Sequence, residues 1–178
     1  SDRLYAVVIV LSWPSLEVVE ERRAIGVAEF PYVPGLLSFR EIPILLPLFR
    51  SLAHTPDLVV CDCQGIAHPR GIGLASHLGL LLRAPSIGCA KSLLVGAHRE
   101  PAARRGAIAR LLVGGEERGA AVRTRAGVKP IFVSPGHLIS IRESVRWALL
   151  LAPRYRIPEP TRLAHILVNR LRREDGAL

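Results

Sequence analysis

The stretch PDLVVCDCQGIAHPRGIGLASHLGLLLRAPSIGCAK, residues 56–91, decides the fold. Residues 58–61 are a short apolar run with β-branched side chains, too short for a helix, ending at Asp62 and followed by Gly65. That pattern predicts a buried strand. Residues 64–73 are polar and glycine-bearing and read as a loop. Residues 74–83 have the length of a helix, and residues 86–90 read as a second buried strand. A β-α-β unit of this kind pairs its strands in parallel through a right-handed crossover. Such sheets bind ligands beyond the carboxyl ends of their strands, where Asp62 and Lys91 both fall. Two readings stay open: an acid and a base forming a site at the sheet edge, or a loop-capping Asp62 beside a solvated Lys91.

Composition narrows the class. The chain has 178 residues, 49% of them hydrophobic, enough for one domain with a core and incompatible with a disordered tail. It contains no apolar run of about 18 residues, and its first residues read as a strand rather than as a secretory leader. Lys and Arg number 24 against 15 Asp and Glu, a net charge of +9 that favours a polyanionic partner, of which nucleic acid is the commonest. Cys61, Cys63 and Cys89 lie in or beside the two predicted strands and read as small core residues of a reducing, cytoplasmic compartment rather than as zinc ligands. Methionine is absent and the first residue is Ser1, so the sequence is expected not to begin at its own translation start. Among the 24 basic residues only Lys91 and Lys129 are lysines. An ammonium can lose its proton when desolvated and a guanidinium cannot, which singles out Lys91 at a strand end.

In chain order, residues 3–12 predict a long strand that turns at Trp13-Pro14-Ser15 into a second, antiparallel one. Pro31 and Pro34 stiffen a loop that carries Tyr32 and Val33; such a loop can wedge between bases, although residues alone favour a packed surface loop. Residues 38–53 predict a helix with Ile44, Leu45, Leu48, Phe49 and Leu52 on one face. Glu41 near its start needs no explanation beyond the helix dipole. Residues 96–105 are basic and irregular, with Arg99, Arg104 and Arg105 expected to be free for phosphates. Three further strands are expected within residues 108–133. Residues 134–137 are expected to lead into a helix over residues 140–151, and Pro160 and Thr161 to open another whose apolar face includes Leu163, Ile166 and Leu167. His165 beside that face reads as a buried structural histidine.

Taken together, FPYVPGLLSFRE (30–41), DCQGIAHPRGIGLASHLG (62–79), IGCAKS (87–92), IFVSPGHL (131–138) and RIPEPTRLAH (156–165) resemble the endonuclease V family over nearly the whole chain. The resemblance implies an α/β fold, a ribonuclease H-like mixed β-sheet flanked by helices. It implies recognition of deoxyinosine in DNA, in some members of inosine in RNA, and cleavage of the second phosphodiester bond 3′ to the lesion with Mg²⁺ or Mn²⁺. It assigns Glu41 and Asp62 as metal-binding carboxylates, Lys91 as the active-site lysine, His165 as the histidine near the metal, and Tyr32 as the wedge. Pro31, Val33, Pro34, Gly35, Leu37, Cys63, Gly65, His68 and Gly73 are implied to contact substrate, the glycine-rich segments offering backbone groups to a flipped base. A single domain acting as a monomer, with no membrane partner, is expected.

Two departures from the family pattern stand out. Cys63 occupies a position where the family has glycine, close to the base. The family also carries a further metal-binding aspartate on a central strand preceding residues 3–12, a strand this sequence lacks, so the chain is expected to be a fragment of a longer protein or a degenerate relative.

Overall fold

A run of apolar, largely β-branched residues builds the first strand, and a computed structural model describes residues 2–176. The elements in order are β1 (Arg3–Leu11), β2 (Val18–Val27), α1 (Leu37–Arg50), β3 (Val59–Cys61), α2 (Leu74–Leu82), β4 (Ser86–Ala90), β5 (Ile108–Val113), β6 (Glu116–Val122), β7 (Ile131–His137), α3 (Ile141–Leu150) and α4 (Glu159–Glu174). They fall into two compact units, Ser1–Pro56 with Pro160–Leu178, and Asp57–Glu159. None of the helices is long and apolar enough to cross a membrane among the described residues.

In the first unit β1 and β2 form an antiparallel hairpin running from Arg3↔Val27 to Leu11↔Val18. Ala6 and Val8 on one face of β1 pack against Leu48, with Ile44, Leu45, Phe49 and Leu52 closing round them, which is the predicted face of α1. Glu20, buried on β2, accepts hydrogen bonds from the backbone N–H groups of Ala53 and His54, each at 2.9 Å, and pairs with the His54 ring. The Ala53 N–H, then the His54 contacts, hold the Glu20 carboxyl down at about 2. The predicted apolar face of α4 is only partly covered: Leu163 and Leu167 are half-buried and Ile166 is exposed.

The second unit is a five-stranded mixed sheet of order β3-β4-β7-β6-β5. β3 and β4 pair in parallel as the sequence requires, Val59↔Ser86 to Cys61↔Gly88, and every other pairing in this sheet is antiparallel. Ile87, Cys89, Val122, Ile131 and Val133 point to one face and pack on Val145 and Ala148 of α3. On the other face α2 comes so close that a Cβ at Gly79 would lie 2.2 Å from the Ser86 hydroxyl. β4 is buried throughout, whereas β3, expected to be buried, is only half covered beyond Val59. Cys89 is buried, and Cys61 and Cys63 are half-buried.

One local expectation gains detail and another changes. Residues 134–137 lead toward α3 as expected but do so as a continuation of β7, with a register shift opposite Ser86 and Ile87 where Pro135 joins the strand. Arg105 is not free: its guanidinium donates to the carbonyls of Leu149 and Ala152 at the end of α3, at 2.9 and 3.2 Å. The irregular segment before β5 is also held from within. Buried Arg123 donates to the carbonyls of Ala102, Val128 and Pro101 and to the Glu100 carboxylate, at 3.1, 2.6, 2.7 and 2.6 Å.

Candidate active site

Asp62 leaves β3 and Lys91 leaves β4, two parallel neighbours, so their side chains emerge at the same edge. Lys91 Nζ donates to Asp62 Oδ2 at 2.5 Å, with the two side chains 38% and 34% exposed. The pair is therefore neither buried nor fully solvated. It is reachable by a ligand and already organised in its absence.

The loop between β3 and α2 is held chiefly by bonds to the neighbouring strands. Gly65 N–H donates to Ser134 Oγ at 2.9 Å, Ile66 N–H to the Pro135 carbonyl at 2.7 Å, and Gly73 N–H to the Gly65 carbonyl at 2.9 Å. The Gln64 amide donates to the Ser92 carbonyl at 3.3 Å, tying the loop to the exit of β4. Glycine is required by proximity here: a Cβ at Gly65 would lie 1.9 Å from the Pro135 oxygen, and one at Gly73 2.3 Å from the Gln64 oxygen. The N–H groups of Gly65 and Gly73, expected to face a ligand, are thus engaged inside the protein. Cys63 sits half-buried in this loop, its carbonyl 2.5 Å from where a Gly88 Cβ would be.

His68, in the same loop, is buried, and that burial pushes its ring below the ordinary 6.5, assisted by the nearby Arg70 charge. The Arg70 N–H donates to His68 Nδ1 at 3.2 Å, leaving the ring proton on Nε2. His68 also lines a cleft of about 470 Å³ that reaches Arg70, Glu116 and Arg118.

In the other unit, the predicted proline loop is stiff at its base and open at its tip. Leu36 N–H donates to the Val33 carbonyl at 2.9 Å across Pro34 and Gly35, and Gly35 takes φ +78°, a turn with proline first and glycine second. Arg40 donates to the Phe30 carbonyl at 3.0 Å, and the Phe30 and Phe39 rings meet at a tilt, their centroids 5.7 Å apart. Tyr32 is 70% exposed, so the packed-loop reading fails for its ring. Pro31, Pro34 and Leu37 are exposed and Val33 half-buried. Glu41 is half-buried within α1. His165 is exposed on α4 rather than buried, with Asn169 Nδ2 3.1 Å from its Nε2.

The structure thus brings Asp62 and Lys91 into contact and places Cys63, Gly65, His68 and Gly73 on one loop beside them. Pro31, Tyr32, Val33, Pro34, Gly35, Leu37, Glu41 and His165 belong to the first unit. Among the described residues no three His, Cys, Asp or Glu side chains form a metal-binding group. One residue escaped the sequence reading: Arg156, whose guanidinium donates to the carbonyl of Lys91 itself at 2.6 Å. Nothing but its position inside the RIPEPTR motif marks it in the sequence.

A mixed α/β sheet with a reachable acid–lysine pair at the carboxyl ends of parallel strands defines an enzyme-like site. Comparison with known proteins supplies the rest. A family-wide sequence profile described as Endonuclease V matches residues 1–166. Endonuclease V of Myxococcus xanthus is 53% identical over 168 residues, 94% of this chain and 72% of its own. The crystal structure of Endonuclease V from Streptomyces avermitilis superposes with a TM-score of 0.94 at 48% identity, covering 98% of this chain and 77% of that one. Ciona intestinalis Endonuclease V, in complex with a 24mer DNA containing an inosine followed by a ribo-adenosine, matches with a TM-score of 0.82 at 25% identity, over 97% and 80% of the two chains. The chain belongs to the endonuclease V family, and is a nuclease, a hydrolase of phosphodiester bonds.

Proposed function

We propose that this chain recognises deoxyinosine in DNA, with inosine-containing RNA as a further substrate class, and hydrolyses the second phosphodiester bond 3′ to the lesion with Mg²⁺ or Mn²⁺. The observation that carries the reading is the 2.5 Å Lys91–Asp62 pair at the strand ends of a chain in this family. Glu41 and Asp62 are the residues that would hold the ion. Carboxylate oxygens are the hard donors Mg²⁺ prefers, and Asp62 is partly exposed with Oδ1 outside every described hydrogen bond, so the donor chemistry fits. When bound, such an ion polarises a phosphoryl oxygen and lowers the pKa of an attacking water.

The chain's own residues divide the remaining work. Lys91 steadies Asp62 and sets a positive charge at the edge a phosphate would approach. His165, exposed on α4, exchanges a proton with solvent or substrate. Tyr32 fills the space beside an extruded base, and the neutral His68 offers its Nε2–H within the same loop as Asp62. Both compact units form one nuclease domain, monomeric and cytoplasmic, serving DNA repair.

A second reading, inosine binding without efficient cutting, draws on Asp62 already being paired with Lys91, since an ion must compete with the ammonium. A nicking assay on an inosine-containing duplex separates the two, run with Mg²⁺ and with EDTA beside a gel-shift measurement of binding. The nuclease reading expects Mg²⁺-dependent nicking, abolished in Asp62→Asn and lowered about 100- to 1,000-fold in Lys91→Ala. Salt-sensitive binding with no nicking at any Mg²⁺ concentration selects the binder. No preference for inosine over adenine in either assay discards both.

A further inference from the structure

We propose that Arg156 is a positioning residue for Lys91, fixing the strand end from which the lysine reaches Asp62; the inference rests on the reading of Lys91 as the active-site lysine. The Arg156 guanidinium donates from Nη2 to the carbonyls of Lys91 and Pro130, at 2.6 and 2.9 Å, and from Nε to the carbonyl of Lys129 at 2.9 Å. One planar group thereby joins the exit of β4 to the entrance of β7. Its own backbone is pinned as well: the hydroxyl of the buried Thr124, just beyond β6, donates to the Arg156 carbonyl at 2.6 Å.

The arrangement is unusual for a surface arginine. Arg156 enters no ion pair among the described residues, and desolvation lowers its affinity for its proton, yet it spends its donors on backbone oxygens. A half-buried charge is tolerated without a carboxylate when carbonyl dipoles converge on it. What this secures is the direction of Lys91. The residue has left the ladder of β4, so the Arg156 bond to its carbonyl replaces the strand hydrogen bonding that fixes Ala90. A lysine side chain cannot substitute, because three carbonyls at these separations need the fork of a guanidinium rather than a point charge.

The chain supplies its own probe. Lys91 and Lys129 are its only lysines, and Arg156 touches the carbonyls of both. Protein labelled with [¹³C,¹⁵N]lysine therefore gives one carbonyl and one ε-methylene signal for each. In Arg156→Met and in Arg156→Lys the Lys91 carbonyl signal should shift. The Lys91 ε-methylene signal should move toward its position in Asp62→Asn, where the lysine has lost its partner. In the nicking assay kcat should fall by up to about 100-fold with KM little changed, and Arg156→Lys should recover only a fraction. Should Arg156→Met fail to fold, Arg156→Lys alone carries the comparison. A lowered melting temperature with the Lys91 ε-methylene signal unmoved makes Arg156 a fold residue only and overturns the proposal. If Lys91→Ala cuts at the parental rate, the reading of Lys91 fails; if Lys91→Ala is inactive while both Arg156 variants keep kcat, the positioning role alone fails.

Discussion

The loop of residues 62–73 and the loop of residues 30–36 are both punctuated by glycine and proline, and both carry residues proposed to meet substrate. They are held by different forces. The first is pinned from outside itself: Ser134 and Pro135 of β7 take its N–H groups, and Gly65 lies against that strand with no room for a methyl group. The second is stiffened from within, by the fixed φ of its prolines and a turn closed from Leu36 to Val33, and it leaves Tyr32 in solvent. The loop that carries the Asp62 carboxylate is built into the sheet, and the loop that carries the Tyr32 ring leaves that ring exposed.

Three substitutions test that contrast. Gly65→Ala should have the largest effect, a loss of about 3 kcal/mol or more in urea unfolding, because backbone rather than a pliant side chain stands where the methyl would go. Parental stability would mean the loop is not locked onto β7. Tyr32→Ala should leave the melting temperature unchanged and weaken binding of an inosine duplex by about 1–3 kcal/mol, read by fluorescence anisotropy. Equal affinity would show that the exposed ring does not stack. Pro34→Ala should cost about 0.4–1 kcal/mol of stability through the freedom gained by the unfolded chain; a loss as large as that of Gly65→Ala would erase the distinction.

Acid separates the units by a different route. The clamp on residues 62–73 is made of a hydroxyl and carbonyls and does not titrate, whereas the first unit relies on Glu20. Its carboxyl drops from the ordinary 4.5 to about 2 on folding, so its contribution is complete above 4.5 and disappears as pH falls through about 2. A urea-melt series across that window should show stability falling with pH in the parent. In Glu20→Gln that component of the slope should vanish, and an unchanged slope would mean Glu20 is not what acid releases.

Much of this was legible in residues. An apolar run of four ending in an acid, a helix-length stretch and a second apolar run could only be a parallel β-α-β unit, and parallel pairing put Asp62 and Lys91 together. The face of α1 followed from spacing in the same way. That residues 134–137 continue the strand was not legible, because Ser-Pro-Gly is turn chemistry locally. What makes them a strand is distant: Ile66 and Gly65 bonding to Pro135 and Ser134, and space beside Ser86 that admits only glycine at 136. Arg105 read as a free charge and Arg156 drew no reading, because a guanidinium bound to carbonyls leaves no complementary acid to find in the sequence. The solvent position of His165 was equally invisible, since α4 leaves part of its apolar side open.

The Arg123 clamp has a consequence for how the protein withstands digestion. Arg99, Arg104 and Arg105 lie in an irregular, surface-exposed stretch, and read linearly they are the natural target of trypsin. A protease, however, cuts the opened chain, at a rate set by how often the segment leaves the surface. Here leaving means stripping one buried guanidinium of its bonds to Glu100, Pro101 and Ala102, and pulling Arg105 off the end of α3. This arginine-bearing stretch is thereby costly to present, and nicking falls first on segments whose backbone no buried charge holds down.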